Sequence, residues 1–331
     1  MRYLSRGVGV LADGSGGGRR GTALQSMVLL LAVIVAGVVL LSARSNAQSG
    51  LNGALDTSAY DDPDKPVLSY LLSEPENVEE FRKEFGLSDA KVRQVLARTR
   101  SENRTLAGVY AESERILEKS RGLSTTEKKQ KISASGYSGK VRQVVNGTKR
   151  SVEEALPQGR ADGLEAWVEE QWREEVREES NTGATASERG TRAAARPPGT
   201  YRIFATQYIG YTSFEVAMPH RKLKFAKGFR TTLTLSNRSV SAPIKEVGPW
   251  NTYDNWWDPV ARRTMWKNLP RGKPEATAAF FDNYNGGKDE FGREVLNPAG
   301  IDLTPVVARR LGLAKYENAY VYVSLPKRPA S

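Results

Sequence analysis

Cysteine is absent from the 331 residues, and histidine occurs once, at position 220. The first absence excludes disulfides, thiolate zinc sites, iron–sulfur clusters and a cysteine nucleophile. The second excludes a multi-histidine metal site within one chain and leaves a Ser-His-Asp triad only His220 to use. Acid–base chemistry therefore falls on carboxylates, with His220 as the one imidazole. Charge of one sign is also short: 38 Asp and Glu stand against 49 Lys and Arg, a formal net charge of +11. That balance fits nucleic acid, anionic lipid or an anionic wall polymer.

The compartment decides among these partners. Met27–Leu41 reads MVLLLAVIVAGVVLL, fifteen residues without a charge, and Arg2, Arg6, Arg19 and Arg20 precede it. A positive flank before an apolar run is the layout of an export segment. Residues 1–26 read as a basic cytoplasmic tail. Residues 27–43 read as an anchor in the cytoplasmic membrane with its N-terminus inside, or as a signal cut after Ala47, which would leave a secreted protein. In either case the domains beyond lie outside that membrane, which favours wall polymers such as peptidoglycan and argues against nucleic acid. A cysteine-free chain suits export and has no acceptor for a lipoprotein anchor.

Residues 44–66, rich in Ser, Gly, Asp and Pro, read as a linker. Residues 67–176 read as a helical stalk or bundle that could self-associate. Val78, Phe81 and Phe85 lie at helical spacing with Gly86 as a stop, and Ser88 can cap a helix whose apolar face is Val92, Val95 and Leu96. Leu164, Trp167, Val168, Trp172 and Val176 form another stripe. Residues 120–150 are polar and weakly patterned. Lys-Val-Arg-Gln-Val occurs at 91–95 and again at 140–144, too short a match to establish a duplication. Residues 177–199, ending in Pro197-Pro198-Gly199, read as a second linker.

The pattern then turns to β. Thr231–Leu235, Ser239–Lys245 and Tyr320–Leu325 are strand candidates rich in β-branched and aromatic residues. Leu303–Gly312 carries a helix, with Thr304 as N-cap, Pro305 at the first position and Gly312 at the stop. The expected fold is multi-domain: the N-terminal segment, the helical region, and a C-terminal β-barrel over 200–326 with short helices and a long insertion at about 250–298.

Several runs in that domain carry a resemblance. They are His220-Arg-Lys-Leu223-Lys-Phe225, Glu246-Val-Gly248-Pro249-Trp250, Gly300-Ile-Asp302-Leu303 and Ala308-x-x-Leu311-Gly312. In this order, with 26 residues from His220 to Glu246, the set resembles the double-psi β-barrel of the rare lipoprotein A family. That family is related in fold to barwin and the expansins. Glu246 stands where the family has Asp, and Val247 replaces its Arg. About fifty residues separate Trp250 from Gly300, where the family has a short connection. The resemblance implies a cell-envelope protein that contacts peptidoglycan. Some members are lytic transglycosylases, and other double-psi barrels only bind polysaccharide. A non-catalytic scaffold of an envelope complex is the further alternative.

A lytic transglycosylase needs no attacking water, so one carboxyl group can act as acid and then as base. The resemblance gives that position to Glu246; the alternative is a turn carboxylate bonding the backbone around Gly248-Pro249. His220 could orient the carboxylate or be an ordinary strand-start histidine. Asp302 could join the catalysis or position the following helix. Trp250, Tyr253, Trp256 and Trp257, with Asn251, could bind sugar rings, since aromatic faces pack on sugar C–H faces. They could equally form a satellite core under the insertion. Asp282–Asp289 is an oxygen-rich turn, but Tyr284 occupies the third position, where an EF-hand needs an oxygen ligand. Neither a metal nor a cofactor is expected.

Overall fold

The computed structural model describes residues 65–185, 199–208, 212–224, 228–315 and 317–325. The tail 1–26, the apolar run 27–43, the first linker up to residue 64 and residues 186–198 of the second lie outside the described residues. Among the described residues no helix is long and apolar enough to cross a membrane.

Among the described residues six helices come first: α1 (Val67–Leu71), α2 (Pro75–Glu84), α3 (Asp89–Lys119), α4 (Thr125–Ala134), α5 (Tyr137–Glu153) and α6 (Leu164–Thr185). The expected stops and caps are present. Gly86 takes the left-handed conformation after α2, and the Ser88 hydroxyl accepts from the Lys91 amide at 3.4 Å to start α3. The weakly patterned residues 120–150 are helical as well. Ser124 and Glu127 form a reciprocal capping box at the head of α4, and Tyr137, Val141 and Val152 bury one side of α5. A cap of this kind contributes about 1 kcal/mol, enough to start a helix whose own apolar face is thin.

The second half closes into a six-stranded barrel: β1 (Thr200–Gln207), β2 (Val216–Met218), β3 (Arg230–Leu235), β4 (Arg238–Val247), β5 (Ile301–Leu303) and β6 (Ala319–Ser324). Around the barrel the order is β1-β5-β2-β4-β3-β6. The β1–β5 and β2–β4 pairs are parallel, and the β1–β6, β2–β5, β3–β4 and β3–β6 pairs antiparallel. The three strand candidates fall in β3, β4 and β6. The helix begins at Pro305, as the sequence reading has it, and Ile301–Leu303 ahead of it forms strand β5, which that reading did not include. Its alternation is too short to register as a strand by itself, and its neighbours β1 and β2 fix it. Short helices α7 (Arg221–Lys224), α8 (Glu275–Phe281) and α9 (Pro305–Leu311) decorate the barrel. Thr304 occupies the N-cap of α9 without capping it; its hydroxyl donates to the Glu215 carbonyl at 3.0 Å. Gly312 ends α9 at φ +94°.

Two cores result. One fills the barrel with Ile203, Ala205, Val216, Met218, Leu233, Ile244, Ile301, Leu303, Val321 and Val323. The other is shared between the helices and the insertion. In it Tyr70 meets Trp172, Phe204, Phe280 and Phe281, and Trp172 stacks on Phe281 at 5.3 Å. Each such aromatic pair contributes about 0.5–1.5 kcal/mol beyond burial. Lys65 ties in from the helical side by donating to the Ala279 and Phe280 carbonyls at 2.6 and 2.9 Å. Residues Leu55–Ser331 thereby form one compact unit.

Candidate functional site

The inward residues of β1, β2 and β5 alternate with an outward row. Strand register aligns Thr206 on β1 with Asp302 on β5, Asp302 with Ala217 on β2, and Ala217 with Glu246 on β4. Register partners project to the same face, so these four side chains lie side by side on the outside of the barrel. The register shifts between Val216 and Ala217, leaving Lys245 as the extra residue of a bulge. Without that residue Glu246 would be out of step with the row; bulges commonly re-aim a side chain in this way. Two strand spacings put the Glu246 and Asp302 backbones roughly 10 Å apart, with only the Ala217 methyl between them.

Asp302 is buried, 9% exposed, and accepts a hydrogen bond from the Thr206 hydroxyl. Burial pushes its carboxyl up to about 7, partly opposed by the Thr206 bond and reinforced by the Glu114 charge on α3. Around pH 7 Asp302 therefore holds a proton for a substantial fraction of the time. Half-buried Tyr208 follows β1, and its hydroxyl reaches Glu215 at 3.4 Å. Burial raises the Tyr208 phenol well above its ordinary value, with the charges of Glu215, Asp302 and Glu246 adding to the rise. Tyr208 thus sits among three carboxyl groups, and Glu246 is half-buried at the far end of the row. The arrangement offers a proton donor, a second carboxylate and an aromatic hydroxyl on one face.

The helical region borders this face. Tyr110 on α3 lies half-buried beside it, and its phenol is pushed well up by desolvation, with Asp302 among the charges that contribute. The Tyr110 hydroxyl accepts from the Trp250 amide at 3.2 Å. Arg293, from the insertion, is 1% exposed and bonds Glu114, Ser113 and Asp289, and the Trp250 carbonyl at 2.6 Å.

His220 stands at the end of β2. Its amide and that of Gly248 both donate to the Met218 carbonyl, at 2.7 and 3.1 Å, so the two halves of the resemblance meet there. The His220 ring is 1% exposed, lies about 6 Å from Tyr253 and Trp257, and has Nε2 3.4 Å from the Thr264 hydroxyl. Row and register thus join Glu246 with Asp302, while the His220 ring lies in the aromatic group. Asp302 does not position α9 through a cap; it points out of the sheet to Thr206.

The aromatic candidates divide. Trp250 packs on Tyr110 at 4.7 Å, and its indole N–H reaches Asn297. Trp256 and Trp257 belong to the barrel core, where the Trp256 N–H donates to the Gly300 carbonyl. Asn251 is buried and donates to Glu275 at 2.7 Å. Tyr253 is the exposed ring of the set, 39% accessible.

Among the described residues no group of three or more His, Cys, Asp or Glu is placed to hold a metal. In the Asp282–Asp289 turn, Asn283 and Asn285 take left-handed conformations, and the Asp289 carboxylate turns inward to Arg293 and the Phe291 and Arg293 amides. Thr206, Tyr208, Glu215, Tyr110 and Glu114 escaped the sequence reading. The alternation in Thr200–Tyr208 would have exposed the first two as outward positions of a strand. Nothing local marks Tyr110 and Glu114, which reach the face through tertiary packing.

A domain of unknown function (DUF8814) matches residues 199–324, a span that coincides with the barrel and its insertion. No match to the rare lipoprotein A family accompanies it. No curated protein and no solved structure matches the chain.

Proposed function

We propose that the chain is an envelope protein, held at the cytoplasmic membrane through residues 27–43 or secreted after cleavage, whose barrel is of the double-psi type and binds peptidoglycan or a related wall glycan. The observation that carries the reading is the outward row Thr206–Asp302–Ala217–Glu246 with Tyr208 beside it. Two parallel strand pairs within a closed six-stranded barrel accord with the double-psi type. A sugar at the Glu246 end of the row would meet that carboxyl group and the half-buried Tyr208 ring, with Ala217 and Asp302 buried behind them. Exposed Tyr253 supplies a further aromatic face; the buried tryptophans hold the insertion in shape.

The raised pKa of Asp302 favours a second reading, in which the barrel cleaves the glycan it binds. A neutral carboxyl group is what protonation of a leaving oxygen requires, and Glu246 then acts as the second carboxylate or stabilises developing positive charge. His220 steadies the β2 end through the Tyr253 and Trp257 contacts.

The binding test is cosedimentation of the full chain, in detergent, with purified sacculi. Retention well above that of an unrelated basic protein is expected, and its absence sinks the proposal. For cleavage, soluble products are separated by mass: 1,6-anhydro ends indicate transglycosylation, reducing ends hydrolysis. Asp302→Asn should lower turnover at least a hundredfold. Undiminished turnover in that variant would remove Asp302 from the chemistry.

A further inference from the structure

The barrel domain hides its acids and displays its bases. Among the described residues of 199–325, twelve Lys and Arg are exposed and Glu317 is the one exposed carboxylate, so its surface is far more cationic than its composition. Asp254 and Asp289 are buried against Arg263 and Arg293. Four of the exposed cations gather around α9. Arg309 and Arg310 occupy its last turn, where the helix dipole favours positive charge. The dipole does not account for the other two, which arrive from β4. A Cβ built on Gly312 would come within 2.5 Å of the Arg238 guanidinium, so Arg238 lies over the end of α9. Lys245, the extra residue of the bulge, reaches towards Glu215 at 3.9 Å.

This patch adjoins the candidate site. The Arg310 guanidinium stacks on Phe214 at 4.2 Å, Glu215 follows Phe214 in the chain, and Glu215 accepts from Tyr208. On the other side Gln207, next to Tyr208, donates to the Ala314 and Glu317 carbonyls and fixes the segment after α9. One continuous path runs from the cations to the outward row.

We infer that the patch formed by Arg238, Lys245, Arg309 and Arg310 is a docking rim for a phosphodiester-bearing wall glycopolymer, whose sugar chain it guides onto the Asp302–Glu246 face. The inference rests on the glycan-binding reading and names the class of glycan. The four side chains are exposed, so they read charge density along a polymer, not the shape of a small ligand. Phosphodiesters keep their charge at all ordinary pH and repeat along the chain, and guanidinium groups bind them in a bidentate fashion.

The test uses the full chain and sacculi in two forms, untreated and stripped of phosphodiester polymers with hydrofluoric acid. Untreated sacculi should bind about tenfold more tightly at 0.1 M salt, and that advantage should vanish between about 0.05 and 0.5 M salt. Arg309→Gln/Arg310→Gln, verified as folded by its circular dichroism and melting temperature, should lose the advantage and bind both forms alike. Arg262→Gln/Lys267→Gln, away from the patch, removes the same two charges and should retain it. Equal, salt-insensitive binding of the wild type to both forms overturns the rim and leaves glycan binding standing. Binding to neither overturns both. A preference for duplex DNA over the wall polymer at equal phosphate concentration also overturns the inference.

Discussion

Asp302 and Glu246 are both carboxylic acids on one face, and their surroundings set them apart. Asp302 has lost most of its water and keeps one hydroxyl donor, Thr206, which favours the charged form. Replacing Thr206 with Val deletes that donor, so the Asp302 pKa should rise above about 7. Carboxyl carbon chemical shifts followed from pH 4 to 9 would measure it, and an unchanged or lower midpoint would contradict the assignment. Glu102 presents a second test, on stability. It is 4% exposed within α3, accepts from the Ser69 hydroxyl, and burial pushes it up to about 8. Glu102→Gln keeps the shape without the charge. The variant should melt several degrees above the wild type at pH 9 and close to it only near pH 4, where the carboxyl is protonated in both the folded and the unfolded chain.

At the scale of elements, α3 and the insertion depend on each other through Arg293. Its guanidinium is enclosed by Asp289, Glu114 and the rings of Tyr110, Trp250 and Phe291. Removing one partner leaves a buried charge behind, which costs roughly 3–5 kcal/mol. Arg293→Met should be destabilised by about that amount in urea titrations, and Asp289→Asn/Arg293→Met by less than the sum of its parts. Trp172→Ala, on α6, should cost roughly 3–5 kcal/mol, because the ring fills the junction with α8 and nothing can collapse into its place. The helices were legible where caps and apolar spacing agreed, as at Ser88 and at Trp167–Trp172. They were illegible where the pattern was thin, as in α4, and the three-residue strands β2 and β5 carry too few residues for alternation to register. The site shows the same split. The resemblance picked out Glu246 and Asp302, but the bulge that aligns them is a property of paired strands and has no mark in one strand's sequence.

Across the molecule, buried acids set the response to pH. Glu102, Glu175, Glu290 and Asp302 all have carboxyls raised by burial, to between about 7 and about 8. Each binds its proton more tightly in the folded state than in the unfolded one, so the native chain holds more protons between about pH 4 and 8. Stability must therefore fall as pH rises through that window. Melting temperatures should drop by several degrees from pH 5 to pH 8, and a rise would contradict the assignment. The shared core makes a further prediction. Residues 199–331 expressed alone would bare Trp250, Phe204, Phe280 and Phe281, and should aggregate unless residues 55–185 are supplied alongside; light scattering with and without the helical part would decide it. The sequence by itself determined the apolar run behind a basic flank, the change from helical to β pattern, and a set of candidate acids, because composition and periodicity are local properties. Only the tertiary structure decided which tryptophans are core, how the helical region meets the insertion, and which acids lie beside one another. Those depend on strand register and on packing between residues far apart in the chain, and burial, which sets the protonation of Asp302, exists only once that packing is complete.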